Sequence, residues 1–222
     1  MANPNHLSLL HRVLAQVGES DPSELGADNR DKFSLVGANL AGADLRHVNL
    51  SGMSLMAADL RHANLQGALL LGTNLIAANL YQANLRGAIL NRARLNRANL
   101  SDADLREASL GEAILVGASV NGGVLIGALL YRSNFSGASC LGAHLTQCHA
   151  VEANFSHANL QGADLRWSDL RQADFFGAQL TDTRFEGANC RGARLQGSRL
   201  QERRNEDLTT SKKSTQMMSK PS

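Results

Sequence analysis

Residues 160–175 read LQGADLRWSDLRQADF, which places Leu160, Leu165, Leu170 and Phe175 at intervals of five. An α-helix turns once every 3.6 residues, so a five-residue step carries the apolar side chains round the axis and forms no stripe. A straight strand fails too, because an odd step sends successive side chains to opposite faces. The spacing demands a backbone that bends once in every five residues.

The step persists far beyond this stretch. From Leu35 to Leu200 every fifth residue is an apolar station, thirty-four in all, and only Val120, Cys140, Ala150 and Cys190 depart from Leu or Phe. Two residues before nearly every station stands a small residue, most often Ala, as at Ala38, Ala63 and Ala83. Asn or Asp commonly lies between, as at Asn39, Asp44 and Asp164, and Gly recurs two residues after, as at Gly37, Gly67 and Gly177. The unit is A(N/D)LxG. Alternate residues of a short extended segment share a face, so the station and the preceding small residue enter one interior while Asn or Asp points outward. Gly suits the bend. With a quarter turn per unit, four units close a coil, and coils stacked at about 4.8 Å make a rod of roughly 40 Å. One unit cannot fold alone: a buried Leu contributes about 1.5–3 kcal/mol, whereas ordering each residue costs about 1–2 kcal/mol. Stability must come from stacking.

This repeat resembles the pentapeptide-repeat family over residues 33–200. The resemblance implies an all-β fold, a right-handed quadrilateral β-helix, with the station and the residue two before it inside. Ahead of it, residues 4–17, PNHLSLLHRVLAQV, carry Leu7, Leu10, Leu14 and Val17 at helical spacing, with Asn3 as a cap, Pro4 in the first turn and Gly18 as a stop. This predicts a short N-terminal α-helix which, with the polar loop after it, forms a capping unit over 1–32. The opening MANPNHL followed by this helix is also similar to bacterial, particularly cyanobacterial, members of the family. Residues 201–222 almost lack apolar side chains and are expected to be a disordered polar tail.

Composition narrows the function. The chain is 43% hydrophobic but only 4% aromatic, and its net charge of +2 argues against nucleic acid as the partner. The N-terminus has no basic region followed by an apolar run and a small-residue cleavage site. The odd set Cys140, Cys148 and Cys190 lacks metal-ligand spacing, which suits reduced thiols in the cytoplasm. Asp164, Asp169 and Asp174 fall on different sides of a rod and cannot serve as an acid and base pair. His144 and His149 have no third ligand at usable spacing. No nucleophile motif or phosphate-cradling loop occurs. The expectation is no enzyme, no cofactor, no metal site and no small-molecule substrate.

Two surface features stand out. LNRARLNRANL gathers Arg92, Arg94 and Arg97, a candidate basic patch. The charge-free run AILVGASVNGGVLIGALLY, residues 113–131, superficially resembles a membrane span, but Leu115, Val120, Leu125 and Leu130 keep the five-residue phase. Its outward places hold Ile114, Val116, Val124, Ile126, Leu129 and Tyr131, and stacking at twenty residues extends them to Leu69, Leu71, Ile76 and Ile89. An exposed apolar belt on a rod marks a contact surface. The expected function is a non-catalytic interaction scaffold, a rigid rod that binds a protein partner or a second copy through this belt. The family's best-known members are DNA-mimicking regulators of DNA gyrase that confer quinolone resistance, which sets the first alternative. It calls for an acidic rod and a hydrophobic dimerising tail, whereas this chain is mixed in charge and ends in polar residues. Peripheral membrane attachment through the belt is the second alternative.

Ala150 leaves a gap where the repeat has Leu, and Cys148, two places earlier, is larger than the usual Ala. If the thiol fills that gap, Cys148→Ala lowers the melting midpoint, since an unfilled Leu-to-Ala gap costs about 2–5 kcal/mol. An unchanged midpoint rules the filling out.

Overall fold

The computed structural model describes Asn3, Pro4, Ser8 and residues 35–198. Parallel bridges join each outward residue to the one twenty later, from Asn39 with Asp59 to Asp174 with Arg194. Four units therefore make one coil, and the coil has four sides. We number the sides by their outward columns: the first begins at Asn39, the second at Asp44, the third at Asn49 and the fourth at Ser54.

The backbone satisfies itself by a repeating rule, shown by the unit around Leu60. Leu60 N–H donates to the Asn79 carbonyl (2.8 Å), His62 N–H to Tyr81 (3.0 Å) and Asn64 N–H back to Ala43 (2.9 Å), so three of the five amides bond between coils. Ala63 N–H closes a turn onto the Leu60 carbonyl at 3.0 Å. The fifth amide, that of Arg61, donates to the side-chain Oδ1 of Asp59 at 3.2 Å. The outward Asn or Asp thus supplies the acceptor that the coil itself lacks. The same bond runs from Ala41 to Asn39, Tyr81 to Asn79, Ser101 to Asn99 and Phe176 to Asp174. Where Ser109 and Ser139 stand instead, Asn91 and Asn121 from the coil below accept the amides of Gly111 (2.8 Å) and Leu141 (3.0 Å).

Each turn carries positive φ at its third residue, the geometry of a type II turn. This is the place where the repeat favours Gly, yet seventeen such places hold other residues, including Ala77 (φ 56°), Arg97 (57°) and Trp167 (61°).

The interior is a continuous apolar column. Leu60, Leu105 and Phe155 are at most 1% exposed, and the Ala positions fill the space between them. Phe135, Phe155 and Phe175 stack face to face at 5.0 and 5.2 Å on successive coils. Cys148 and Ala150 are both fully buried in the same side, so the thiol occupies the layer in which the station is short. Burial pushes the Cys148 thiol up to about 12. Thr73, Ser133 and Ser168 take the small inner place without an orphaned hydroxyl, because each donates to a backbone carbonyl at 2.7–2.8 Å.

At the N-terminal end, Asn3 N–H donates to the Asn39 carbonyl (3.1 Å), an acceptor that a preceding coil would otherwise use. Pro4 and Ser8 have helical backbone. The remainder of the expected helix over 4–17, the loop to 32 and the tail over 201–222 lie outside the described residues.

Because an L side chain in the left-handed region costs about 1–2 kcal/mol while Gly loses about 0.4–1 kcal/mol more entropy on folding, Ala77→Gly is expected to raise the melting midpoint modestly. Asn99→Ala, which removes the acceptor for Ser101 N–H, lowers it by about 1 kcal/mol equivalent. Thermal melts of the two variants showing the reverse order would contradict this turn geometry.

Candidate interaction surface

The sides differ in what they present, because the core fixes only alternate positions and leaves the outward columns free. The third side reads Asn49, Leu69, Ile89, Ser109, Leu129, His149, Asp169 and Asn189 from one end to the other. Leu69, Ile89 and Leu129 are exposed there, and Leu71 and Tyr131 are exposed on the corner leading to the fourth side. Ile114 lies on the fourth side between Arg94 and Asn134, and Val116 on the corner beyond it. Val124, half-buried, lies on the second side between Asp104 and His144, with Ile126 exposed at the next corner. Ile76 is half-buried on the same corner as Val116. The ten residues therefore divide among three sides, and five of them, Leu69, Leu71, Ile89, Leu129 and Tyr131, share the third side and its corner.

This apolar group alters the backbone chemistry beneath it. Leu69, Ile89, Ile114, Val124 and Leu129 occupy the place of the amide-capping Asn or Asp, and a hydrocarbon accepts no hydrogen bond. A strip of uncapped amides, such as those of Leu71 and Tyr131, follows these residues.

Arginines are mostly committed to partners. In the repeated Asp-Leu-Arg triplets, Arg46, Arg61, Arg106, Arg166 and Arg171 each fork onto the Asp two residues earlier, with terminal nitrogens 2.5–2.7 Å from the carboxylate. The guanidinium hydrogen bond holds Asp59, Asp104, Asp164 and Asp169 below the usual carboxylate value of 3.8. Of the sequence-predicted basic patch, Arg92 sits on the corner between the third and fourth sides and donates to Glu112 at 2.8 Å. Arg94 is exposed on the fourth side and Arg97 on the corner beyond, so the three surround one side rather than forming a cluster.

Sequence reasoning missed Trp167, the most exposed large apolar side chain among the described residues at 65%. Its ring lies over Gly187, where an added Cβ would come within 2.1 Å of it. The available signal was the chain's one Trp standing in the turn place that favours Gly. His144 and His149 fall on the second and third sides, and among the described residues no group of three metal-ligating side chains converges. Among the same residues no helix is long and apolar enough to cross a membrane.

The fold is thus a four-sided parallel β-solenoid built from five-residue units. The pentapeptide-repeat profile matches in eight copies, over residues 34–70, 54–92, 90–122, 113–149, 138–177 and 173–202, and the chain belongs to the pentapeptide-repeat family. Solved members are right-handed quadrilateral β-helices. The chain is similar to HetL, a pentapeptide repeat protein involved in heterocyst differentiation regulation from the cyanobacterium Nostoc sp. strain PCC 7120. That likeness has a TM-score of 0.58 and 30% identity over 76% of this chain and 85% of HetL. It is also similar to QnrB1, a plasmid-mediated fluoroquinolone resistance protein, at 19% identity and a TM-score of 0.49, over 83% of this chain and 97% of QnrB1. No curated protein sequence matches the chain.

The carboxylates predict a pH effect of definite sign. Their folded-state values are depressed, so their stabilisation is present above the unfolded value near 3.8 and is lost as pH falls through the lower folded values. Replacing Asp59, Asp104, Asp164 and Asp169 by Asn keeps an amide acceptor but removes the titration. The melting midpoint of this variant should fall less than that of the parent between about pH 5 and pH 2. Parallel pH profiles would contradict the assignment.

Proposed function

We propose that this chain is a non-catalytic interaction scaffold whose third side and adjoining corner bind a protein surface. The observation that carries this reading is the group of Leu69, Leu71, Ile89, Leu129 and Tyr131, exposed together on the third side and its corner, where half of the ten apolar outward residues collect. Such a group on a soluble protein marks a contact surface. The core gives no reason for it, since outward residues do not enter the interior. Local stability gives none either, because the same residues forfeit the amide caps that Asn or Asp would supply.

Family membership supports the reading at a coarser level, as pentapeptide-repeat proteins are generally non-enzymatic and act through contact. Rigidity adds to it: a rod held by three inter-coil bonds per unit presents its side without the ordering cost of a flexible loop.

Leu69→Asp with Leu129→Asp tests the surface without attacking the fold. Both substitutions restore the acceptor that the repeat places there, so the variant should melt at or above the parent's midpoint. Captured from its native cell or sized in solution, it should lose the partner or the self-assembly that the parent shows. Identical recovery and identical mass for variant and parent would remove this side from the account.

A further inference from the structure

On the corner between the third and fourth sides, the turn places at positions 92, 112, 132 and 152 lie one above another on successive coils, with their bridges fixing the register. They hold Arg92, Glu112, Arg132 and Glu152, a column alternating in sign. Arg92 Nε donates to Glu112 at 2.8 Å and Arg132 Nε to Glu152 at 2.7 Å, yet all four stay accessible, with 71%, 45%, 53% and 36% of their side-chain surface exposed. All four also have positive φ, between 52° and 59°, where Gly would be at ease.

We propose that two copies of this chain pair side by side and antiparallel through this corner, the alternating column setting their register. This names the partner of the third-side surface and rests on that reading. A two-fold axis perpendicular to the rods sets each column against itself with its order reversed. Centred between Glu112 and Arg132, it places Arg92 against the second copy's Glu152, and Glu112 against the second copy's Arg132. Every facing pair is then of opposite sign. A slip of one coil, about 4.8 Å, sets Arg92 against Arg132 and Glu112 against its own counterpart, and an in-register parallel copy sets like against like throughout. Like charges brought together penalise wrong registers.

Neighbouring columns agree with the same centre in size. Gly111 meets the second copy's Tyr131, and Ser109 meets the second copy's Leu129, so large side chains face small ones at the middle of the contact. Arg132 already lies over the Tyr131 ring at 4.7 Å, which holds both groups at this corner. Further out, Ile89 meets the second copy's His149 and Val151 meets its Asn91, so the apolar surface at the contact centres on Leu129 and Tyr131.

The test is sedimentation of the full chain, with folding checked by melts. The parent should sediment at twice the 23.7 kDa chain mass, with association weakening as salt rises. Glu112→Arg with Glu152→Arg makes the column uniformly positive and should weaken association by about tenfold or more. The fourfold exchange Arg92→Glu, Glu112→Arg, Arg132→Glu, Glu152→Arg preserves the pairs within each rod. It should restore dimers with itself, since every facing pair in the antiparallel register is again of opposite sign. A monomeric parent, open-ended assemblies, an unweakened uniform-sign variant, or an exchanged chain that fails to dimerise with itself would each overturn the proposal. If these fail while Leu69→Asp with Leu129→Asp still abolishes recovery of another protein, the scaffold reading stands and only the second copy as partner falls.

Discussion

The structure depends on the need to satisfy every backbone amide while the chain turns a corner every five residues. Three amides per unit bond to neighbouring coils and a fourth closes the turn, which leaves one. Asn or Asp, placed between the two inward residues, accepts that last donor through its side chain. The A(N/D)LxG unit is therefore a complete solution to one hydrogen-bonding problem, and the apolar column is the other half of it. Neither half suffices alone, since the ordering cost of a unit exceeds what one buried Leu returns.

This division of labour explains why the surface is free to vary. Inward positions must match in size from coil to coil, and where Thr73 and Ser168 stand inside, their hydroxyls reach backbone carbonyls. Outward positions meet water, the residue two places on and residues about one coil away. Columns of like position can then be written almost independently, as the forked Asp-Leu-Arg triplets, the exposed Leu69, Ile89 and Leu129 of the third side and the alternating corner show.

The architecture of the repeat was legible because one number, five, excludes both helix and flat strand, and because the phase from Leu35 to Leu200 never slips. The outward direction of Asn and Asp was legible too, but the reason for them was not: an amide left over by the coil is visible only once the bonds between coils are drawn. The apolar residues were found from their identity, whereas their division among three sides follows from the bridge register. Trp167 escaped because its place was read as a bend, not as a platform lying over Gly187. Arg92 was read with its sequence neighbours Arg94 and Arg97, although its actual partner, Glu112, stands twenty residues away.

Amide hydrogen exchange, resolved residue by residue, tests the central claim most directly. The account predicts a five-residue rhythm in which the station, the turn, the small residue and the outward residue exchange slowly. The residue after each station should exchange faster, and fastest at Leu71, Asn91, Val116, Ile126 and Tyr131, where no Asn or Asp supplies an acceptor two places earlier. Protection without this rhythm, or equal protection of capped and uncapped amides, would contradict it.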